Sequence, residues 1–205
     1  MSQRKYSVIV FDLGNVLIPF DYTPAINKLD QIQPGLGVKF AEFYKSNYSI
    51  HREFESGNIP EATFISTMLE VVEHKVEPET FCKIFSDIFS LNEKVISILP
   101  ILKNKYKLFL LSNTNSIHRK YGWQKYEFLE YFDKLILSHE VGSVKPEEKI
   151  YRKVESASGF PSSEHFYIDD IMEYVDSAKK LGWDAVQFVD YKKLVGDLKE
   201  RNILK

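Results

Sequence analysis

Five short runs of almost uninterrupted apolar, β-favouring residues punctuate the chain: Tyr6–Phe11, Lys107–Leu111, Lys134–Leu137, His165–Ile168 and Ala185–Val189. A strand with one wet face alternates apolar and polar residues. Most of these runs do not, so they are expected to be covered on both faces. Between the later runs, apolar residues recur at helical spacing, which predicts helices over Glu93–Lys103, Ser116–Glu130, Glu147–Ser156 and Ile171–Leu181. Strands alternating with helices predict an α/β fold built on a doubly wound parallel five-stranded sheet.

The stretch from 21 to 90 breaks that rhythm and reads as helices alone, near Pro24–Gln31, Val38–Glu55, Glu61–His74 and Pro78–Phe89. Phe64, Met68, Leu69 and Val72 share one helical face. Pro34-Gly35, Gly57 and Pro60 punctuate the segment, and Pro78 opens its last helix. The predicted organisation is therefore an α/β core of residues 1–20 and 91–205, interrupted after its first strand by a helical domain of residues 21–90.

Composition narrows the class of protein. Apolar residues at 44% and charged residues at 27% are ordinary for a soluble globular chain. A net charge of -2 with no basic stripe argues against a nucleic-acid partner. The single cysteine, Cys82, excludes an internal disulfide framework and is expected to be a small buried residue in a helix. No run reaches the ~18 apolar residues of a membrane span. Met1–Phe20 is broken by Asp12 and Asn15 and lacks a small-residue cleavage site, so a cytoplasmic protein without a membrane partner is expected.

Ligands of open α/β sheets bind beyond the carboxyl ends of the strands. The first strand there runs into Asp12-Leu13-Gly14-Asn15, the second into Ser112-Asn113-Thr114-Asn115, and the fourth into Asp169-Asp170; Val144-Lys145-Pro146-Glu147 follows the third. Three carboxylates, a hydroxyl, an amide and a lysine would thus gather at one sheet edge. Clustered carboxylates repel one another unless a proton or a cation compensates. Oxygen-only donors suit Mg²⁺. A metal and a lysine around a nucleophilic carboxylate make an electrostatic clamp for a phosphoryl group.

These segments, Val8-Ile9-Val10-Phe11-Asp12-Leu13-Gly14-Asn15-Val16-Leu17, Leu111-Ser112-Asn113-Thr114-Asn115, Val144-Lys145-Pro146-Glu147 and Ile168-Asp169-Asp170, resemble the four ordered motifs of the haloacid dehalogenase superfamily. Lys145–Tyr151 and Phe54–Ile59 resemble its helical-cap phosphatase branch. The Leu-Gly-Asn form of the first motif and the Ser-Asn-Thr-Asn-x-x-His run ending at His118 are similar to bacterial α-glucose-1-phosphate phosphatases. The resemblance implies a Rossmann-like sheet of strand order 5-4-1-2-3, a cap that closes over the sheet edge, and a Mg²⁺-dependent phosphomonoester hydrolase. By resemblance, Asp12 attacks phosphorus and becomes an aspartyl-phosphate. Ser112 and Lys145 hold the phosphoryl group, with Asn113 beside it. Asp12, the Gly14 carbonyl, Asp170 and Asp169 hold the metal, Asp169 directly or through water. The implied substrate is a small phosphate ester such as a sugar phosphate.

Two positions depart from the pattern. Gly14 stands where the superfamily usually has a second aspartate, its general acid and base; Asp21, His51 and His118 are the candidate substitutes. Tyr174 stands where the branch often has Asn. The competing readings are a 2-haloacid dehalogenase, which needs no metal, and a phosphate-binding module without turnover. Phe40, Phe43, Tyr44, Tyr48 and Phe54 are expected either to shape the inner face of the cap or to fill its core.

Overall fold

The structure, a computed structural model, describes residues 5–205; the first four residues of the predicted 1–20 segment lie outside the described residues. The predicted strands form as β1 (Val8–Phe11), β2 (Lys107–Ser112), β3 (Lys134–Leu137), β4 (His165–Asp169) and β5 (Asp184–Gln187). They make one parallel sheet of order β3-β2-β1-β4-β5, the expected order read from its other edge. β1 lies in the middle, so Asp12 emerges between the ends of β2 and β4.

Helices α1 (Thr23–Ile32), α2 (Leu36–Ser46), α3 (Tyr48–Glu55), α4 (Glu61–Val71) and α5 (Pro78–Ser86) lie between β1 and β2 in the chain. After them come α6 (Glu93–Ile96), α7 (Leu99–Lys103), α8 (Ser138–Val141), α9 (Glu148–Ser158), α10 (Met172–Lys180) and α11 (Tyr191–Glu200). The two-residue period of a strand decides which layer each strand residue feeds. Ile9 and Phe11 pack with Leu99, Leu102, Leu194 and Leu198 from α7 and α11. Val8 and Val10 pack on the opposite face with Ile150, Val154 and Val175 from α9 and α10. Both faces are covered, which is why the strands needed no polar alternation.

Helices α1 to α5 pack around a cluster of their own that includes Phe40, Phe54, Phe64, Met68, Phe81 and Phe85. Cys82 is buried in α5, and burial pushes its thiol up to about 11. Gly57 explains one close approach between these helices and the sheet layer. Its φ is +74°, and a Cβ there would lie 2.6 Å from the His139 carbonyl oxygen. Only glycine fits both demands.

Several boundaries differ from expectation for identifiable reasons. The single helix predicted over Val38–Glu55 breaks at Asn47, whose side chain donates to the Phe43 carbonyl at 3.0 Å and so ends α2. Pro100 has no N–H, and Glu93–Lys103 becomes two short helices with the proline in the first turn of the second. Ser116–Glu130 contains a π-helical turn, His118–Trp123, and a 3₁₀ turn, Glu127–Tyr131. There Gly122 admits the Phe89 ring, which would lie 2.7 Å from an added Cβ. Helix α11 was not anticipated, although Asp190 caps it by accepting from Lys193 N at 2.8 Å. Among the described residues, no helix is long and apolar enough to cross a membrane.

Candidate active site

The carboxyl ends of β1 and β4 bring Asp12, Asp169 and Asp170 together, with one oxygen from each within 4.8 Å of the others. Lys145 reaches into this cluster from the loop before α9. Its Nζ lies 2.7 Å from Asp12 Oδ1 and 2.7 Å from Asp169 Oδ2, and 3.3 Å from the Leu111 carbonyl oxygen. Lys145 is 1% exposed, so this is a buried ammonium held by buried carboxylates. Desolvation alone would lower its pKa, but Asp12 and Asp169 outweigh it and hold the ammonium above the ordinary lysine range.

Three carboxylates against one ammonium leave negative charge in excess. Burial pushes the Asp12 carboxyl up, with Lys145 opposing and Asp169 and Asp170 reinforcing the rise. The Asp170 carboxyl is raised as well, first by burial and then by Asp169. A proton or a cation must supply the missing charge. The donor set is entirely oxygen, which fits a hard divalent cation such as Mg²⁺.

The two acids of the pair differ in what they already do. Asp169 Oδ2 accepts from Lys145 and from the Tyr167 hydroxyl, and its Oδ1 accepts from Ile171 N at 2.8 Å. Asp170 is half-buried and accepts from the Asn15 side chain at 3.1 Å. Asn15 can reach it because its backbone sits at φ 53°, a left-handed conformation that asparagine tolerates. The Gly14 carbonyl accepts from Val16 N at 2.7 Å, and a carbonyl oxygen has a second lone pair.

Ser112, at the end of β2, is buried and borders the same cavity. Asn113 also borders it, but both ends of its amide are engaged. Oδ1 accepts from Lys145 N at 2.7 Å, and Nδ2 donates to the Lys145 carbonyl at 3.1 Å. Asn113 thereby clamps the backbone that carries the lysine, and a substrate contact would have to share those bonds.

The cavity, about 180 Å³, lies between the sheet edge and the helices before β2. From those helices it takes Tyr44, Tyr48, His51, Arg52 and Glu55. The aromatic expectation therefore divides: Tyr44 and Tyr48 face the cavity, whereas Phe40 and Phe54 fill the helical core. Arg52 donates to the Lys145 carbonyl and, at 3.5 Å, to the Tyr174 hydroxyl. Tyr174 in turn sets its ring 5.1 Å from Lys145 Nζ. The unusual tyrosine thus stands over the lysine and meets the arginine opposite. Sequence reasoning missed Arg52; its one signal was the adjoining Phe54–Ile59 segment.

Of the candidate proton donors, Asp21 is exposed and accepts from Thr23 N and the Thr23 hydroxyl at the start of α1, away from the cavity wall. His51 and His118 do border it. His51 pairs with the Tyr44 hydroxyl at 2.7 Å and with Glu55 Oε1 at 3.1 Å. At the Gly14 position, a Cβ would lie 3.4 Å from the Phe20 ring, in ordinary van der Waals contact with it.

A carboxylate cluster with a central lysine, at the carboxyl edge of a parallel sheet with helices inserted after the first strand, defines a hydrolase of the α/β class. The haloacid dehalogenase-like hydrolase family model matches residues 9–188, and the chain belongs to that family. It is 24% identical over 189 residues to the D-ribitol-5-phosphate phosphatase of Bacteroides thetaiotaomicron, covering 87% of this chain and 90% of that one. It is 24% identical over 191 residues to a phosphorylated carbohydrates phosphatase of Thermotoga maritima, covering 87% and 82%. Among solved structures, a haloacid dehalogenase family enzyme of B. thetaiotaomicron in its magnesium complex matches with TM-score 0.80 and 27% identity over 94% of this chain and 99% of that one. The same enzyme with magnesium and inorganic phosphate matches with TM-score 0.76 and 26% identity, covering 92% and 98%.

Proposed function

We propose that this chain is a Mg²⁺-dependent phosphomonoester hydrolase that acts through an aspartyl-phosphate on Asp12, on small hydroxylated esters such as sugar or polyol phosphates. The carrying observation is the Asp12, Asp169 and Asp170 cluster pinned by the Lys145 ammonium. The relatives with phosphatase names and the solved relative with magnesium and phosphate support the same reading.

Asp12, Asp170, the Gly14 carbonyl and Asp169 would hold Mg²⁺, which when bound offsets charge on the carboxylates and the phosphoryl oxygens. Asp12 attacks phosphorus with the oxygen turned to the cavity. Lys145 keeps that carboxylate oriented and offsets phosphoryl charge, and Ser112 holds a phosphoryl oxygen. The P–O bond to the organic group breaks and its oxygen takes a proton from solvent; water then attacks phosphorus, breaking the aspartyl P–O bond and releasing inorganic phosphate and the free Asp12 carboxylate. The helices within residues 21–90 act as a cap domain over the core of 1–20 and 91–205. Arg52 links the cap to the backbone carbonyl of Lys145.

The test is phosphate release from sugar phosphates, polyol phosphates and nucleotides, with and without Mg²⁺. Release that requires Mg²⁺ is expected. Tight binding of these esters without any release would replace the hydrolase with a binding module.

Because Asp169 already accepts three hydrogen bonds and Asp170 accepts one from Asn15, Asp170→Asn is expected to weaken Mg²⁺ binding at least about tenfold, by loss of a charged oxygen donor. Asp169→Asn should instead act mainly on stability by loosening Lys145. Calorimetric Mg²⁺ titration and thermal melts separate the two; equal losses of Mg²⁺ affinity would remove the distinction.

Gly14 sets a further expectation. General acid help is worth typically ~10²–10⁴-fold. Without an acid beside the leaving oxygen, the rate should fall steeply as the leaving alcohol becomes more basic. Single-turnover rates across aryl phosphates of graded acidity measure this. A flat dependence would show that a cap group, His51 or Glu55, donates the proton.

A further inference from the structure

The turn after β2 carries a side chain that the proposed reaction does not use. Asn115 and His118 are both buried. The His118 backbone N–H donates to Asn115 Oδ1 at 2.9 Å, which fixes the orientation of the amide. Its other end, Nδ2, then faces His118 Nδ1 at 3.1 Å. An amide nitrogen only donates, so Nδ1 is the acceptor and a neutral ring must carry its proton on Nε2. Burial, with His51 nearby, holds the pKa of this ring well below the ordinary histidine range, so it is neutral at pH 7.

That Nε2–H has no hydrogen-bond partner, and it is the one such buried side-chain atom among the described residues. The Phe85 carbonyl lies near enough to favour the charged ring but is not placed to accept from Nε2. The surroundings are aromatic: Phe85 stacks on the ring at 4.3 Å and Phe89 meets it edge-on at 5.3 Å. His51, with ring centroids 6.1 Å away, has both nitrogens engaged by Tyr44 and Glu55. A trapped water needs about two to four polar partners, and these walls do not provide them. Yet the ring forms part of the wall of the cavity that Asp12, Ser112 and Lys145 also border.

We propose that His118 is a specificity-determining residue whose Nε2–H donates to a neutral oxygen on the organic part of the substrate, selecting hydroxyl-bearing phosphate esters over hydrocarbon ones. The inference rests on the phosphatase reading. A site built to pair with a substrate hydroxyl rejects an analogue lacking it, because its own buried group is then left unmatched. Asp12 and Lys145 handle the phosphoryl group, which every ester shares. His118 reads the part that differs.

The experiment compares kcat/KM for a pentitol phosphate and for n-pentyl phosphate, with Mg²⁺ present. These are primary esters of equal chain length that differ in hydroxyl content. The wild type is expected to prefer the pentitol ester. His118→Phe keeps the ring stack without the donor and should cut that preference about ten- to a hundredfold; His118→Gln restores a donor and should recover part of it. An unchanged preference in His118→Phe overturns the proposal. Should that variant fail to fold, the Asp12→Asn protein with ¹⁵N-labelled histidine and uncleaved ester supplies the second reading. The His118 Nε2–H resonance should move downfield with the pentitol phosphate and not with pentyl phosphate; identical spectra overturn the proposal. Absence of release from both esters by the wild type would instead strike the phosphatase reading, which the two arms keep separate.

Discussion

Asp12→Asn should bring Mg²⁺-dependent phosphate release down to background while the protein stays folded. The amide has the shape of the carboxylate but neither its charge nor its nucleophilic oxygen, and the other described carboxylate that contacts Lys145, Asp169, is fully buried and already accepts three hydrogen bonds. The variant also has a stability signature. Burial pushes the Asp12 carboxyl up to about 8 from its ordinary 3.8. Across that window the folded state holds a proton that the unfolded chain has released, so in metal-free buffer the stability of the wild type should fall as pH rises from 3.8 toward about 8. The amide does not titrate, so Asp12→Asn should lose less stability over the same range. Phosphate release at near-wild-type rate would remove Asp12 from the reaction. Melts in EDTA at acidic and mildly alkaline pH check the electrostatic account separately.

Lys145→Met should lower phosphate release by about 10²–10³-fold, the scale of losing one preorganised charge stabiliser, and should also destabilise the protein. Removing one partner of a buried ion pair typically costs about 3–5 kcal/mol, because the remaining charge is left uncompensated. Here two carboxylates lose the same partner, each at 2.7 Å. The sign of the pH effect follows from which groups titrate. The lysine pKa is raised, so its stabilisation is fully present below 10.5 and is lost only at higher pH. Between mildly acidic and neutral pH the change therefore comes from the carboxylates, which without the ammonium hold protons more tightly when folded. The deficit of the variant should grow as pH rises. Urea unfolding at two pH values measures it, and a deficit independent of pH would mean that lost packing rather than lost charge compensation is responsible.

How far these sites could be read before the fold was known depends on where their signals lie. Asp12, Ser112, Lys145, Asp169 and Asp170 each follow a strand or its loop, and a parallel sheet gathers such positions at one edge by construction. Arg52 and Tyr174 offered no comparable signal. They meet Lys145 across separations of 93 and 29 residues, through a backbone carbonyl and a ring face, and no local pattern encodes that meeting. His118 was visible as a residue, but its tautomer and its unpaired nitrogen were not. They follow from one hydrogen bond that turns the Asn115 amide and from the aromatic walls that other segments supply.

The five strands were legible before any fold was known, because each is an apolar run of strand length, and apolar spacing likewise marked the chain between β1 and β2 as helical. Packing between segments set the π-helical turn at His118–Trp123, where Gly122 admits the Phe89 ring. There a ring from a distant segment competes with the helical hydrogen-bond ladder, whereas the breaks at Asn47 and before Pro100 come from local chemistry that apolar spacing alone overlooks. Tertiary structure also decided the charge state of the site. A carboxylate in sequence carries its ordinary pKa; burial, reinforced by Asp169 and Asp170 and opposed by Lys145, is what pushes Asp12 upward.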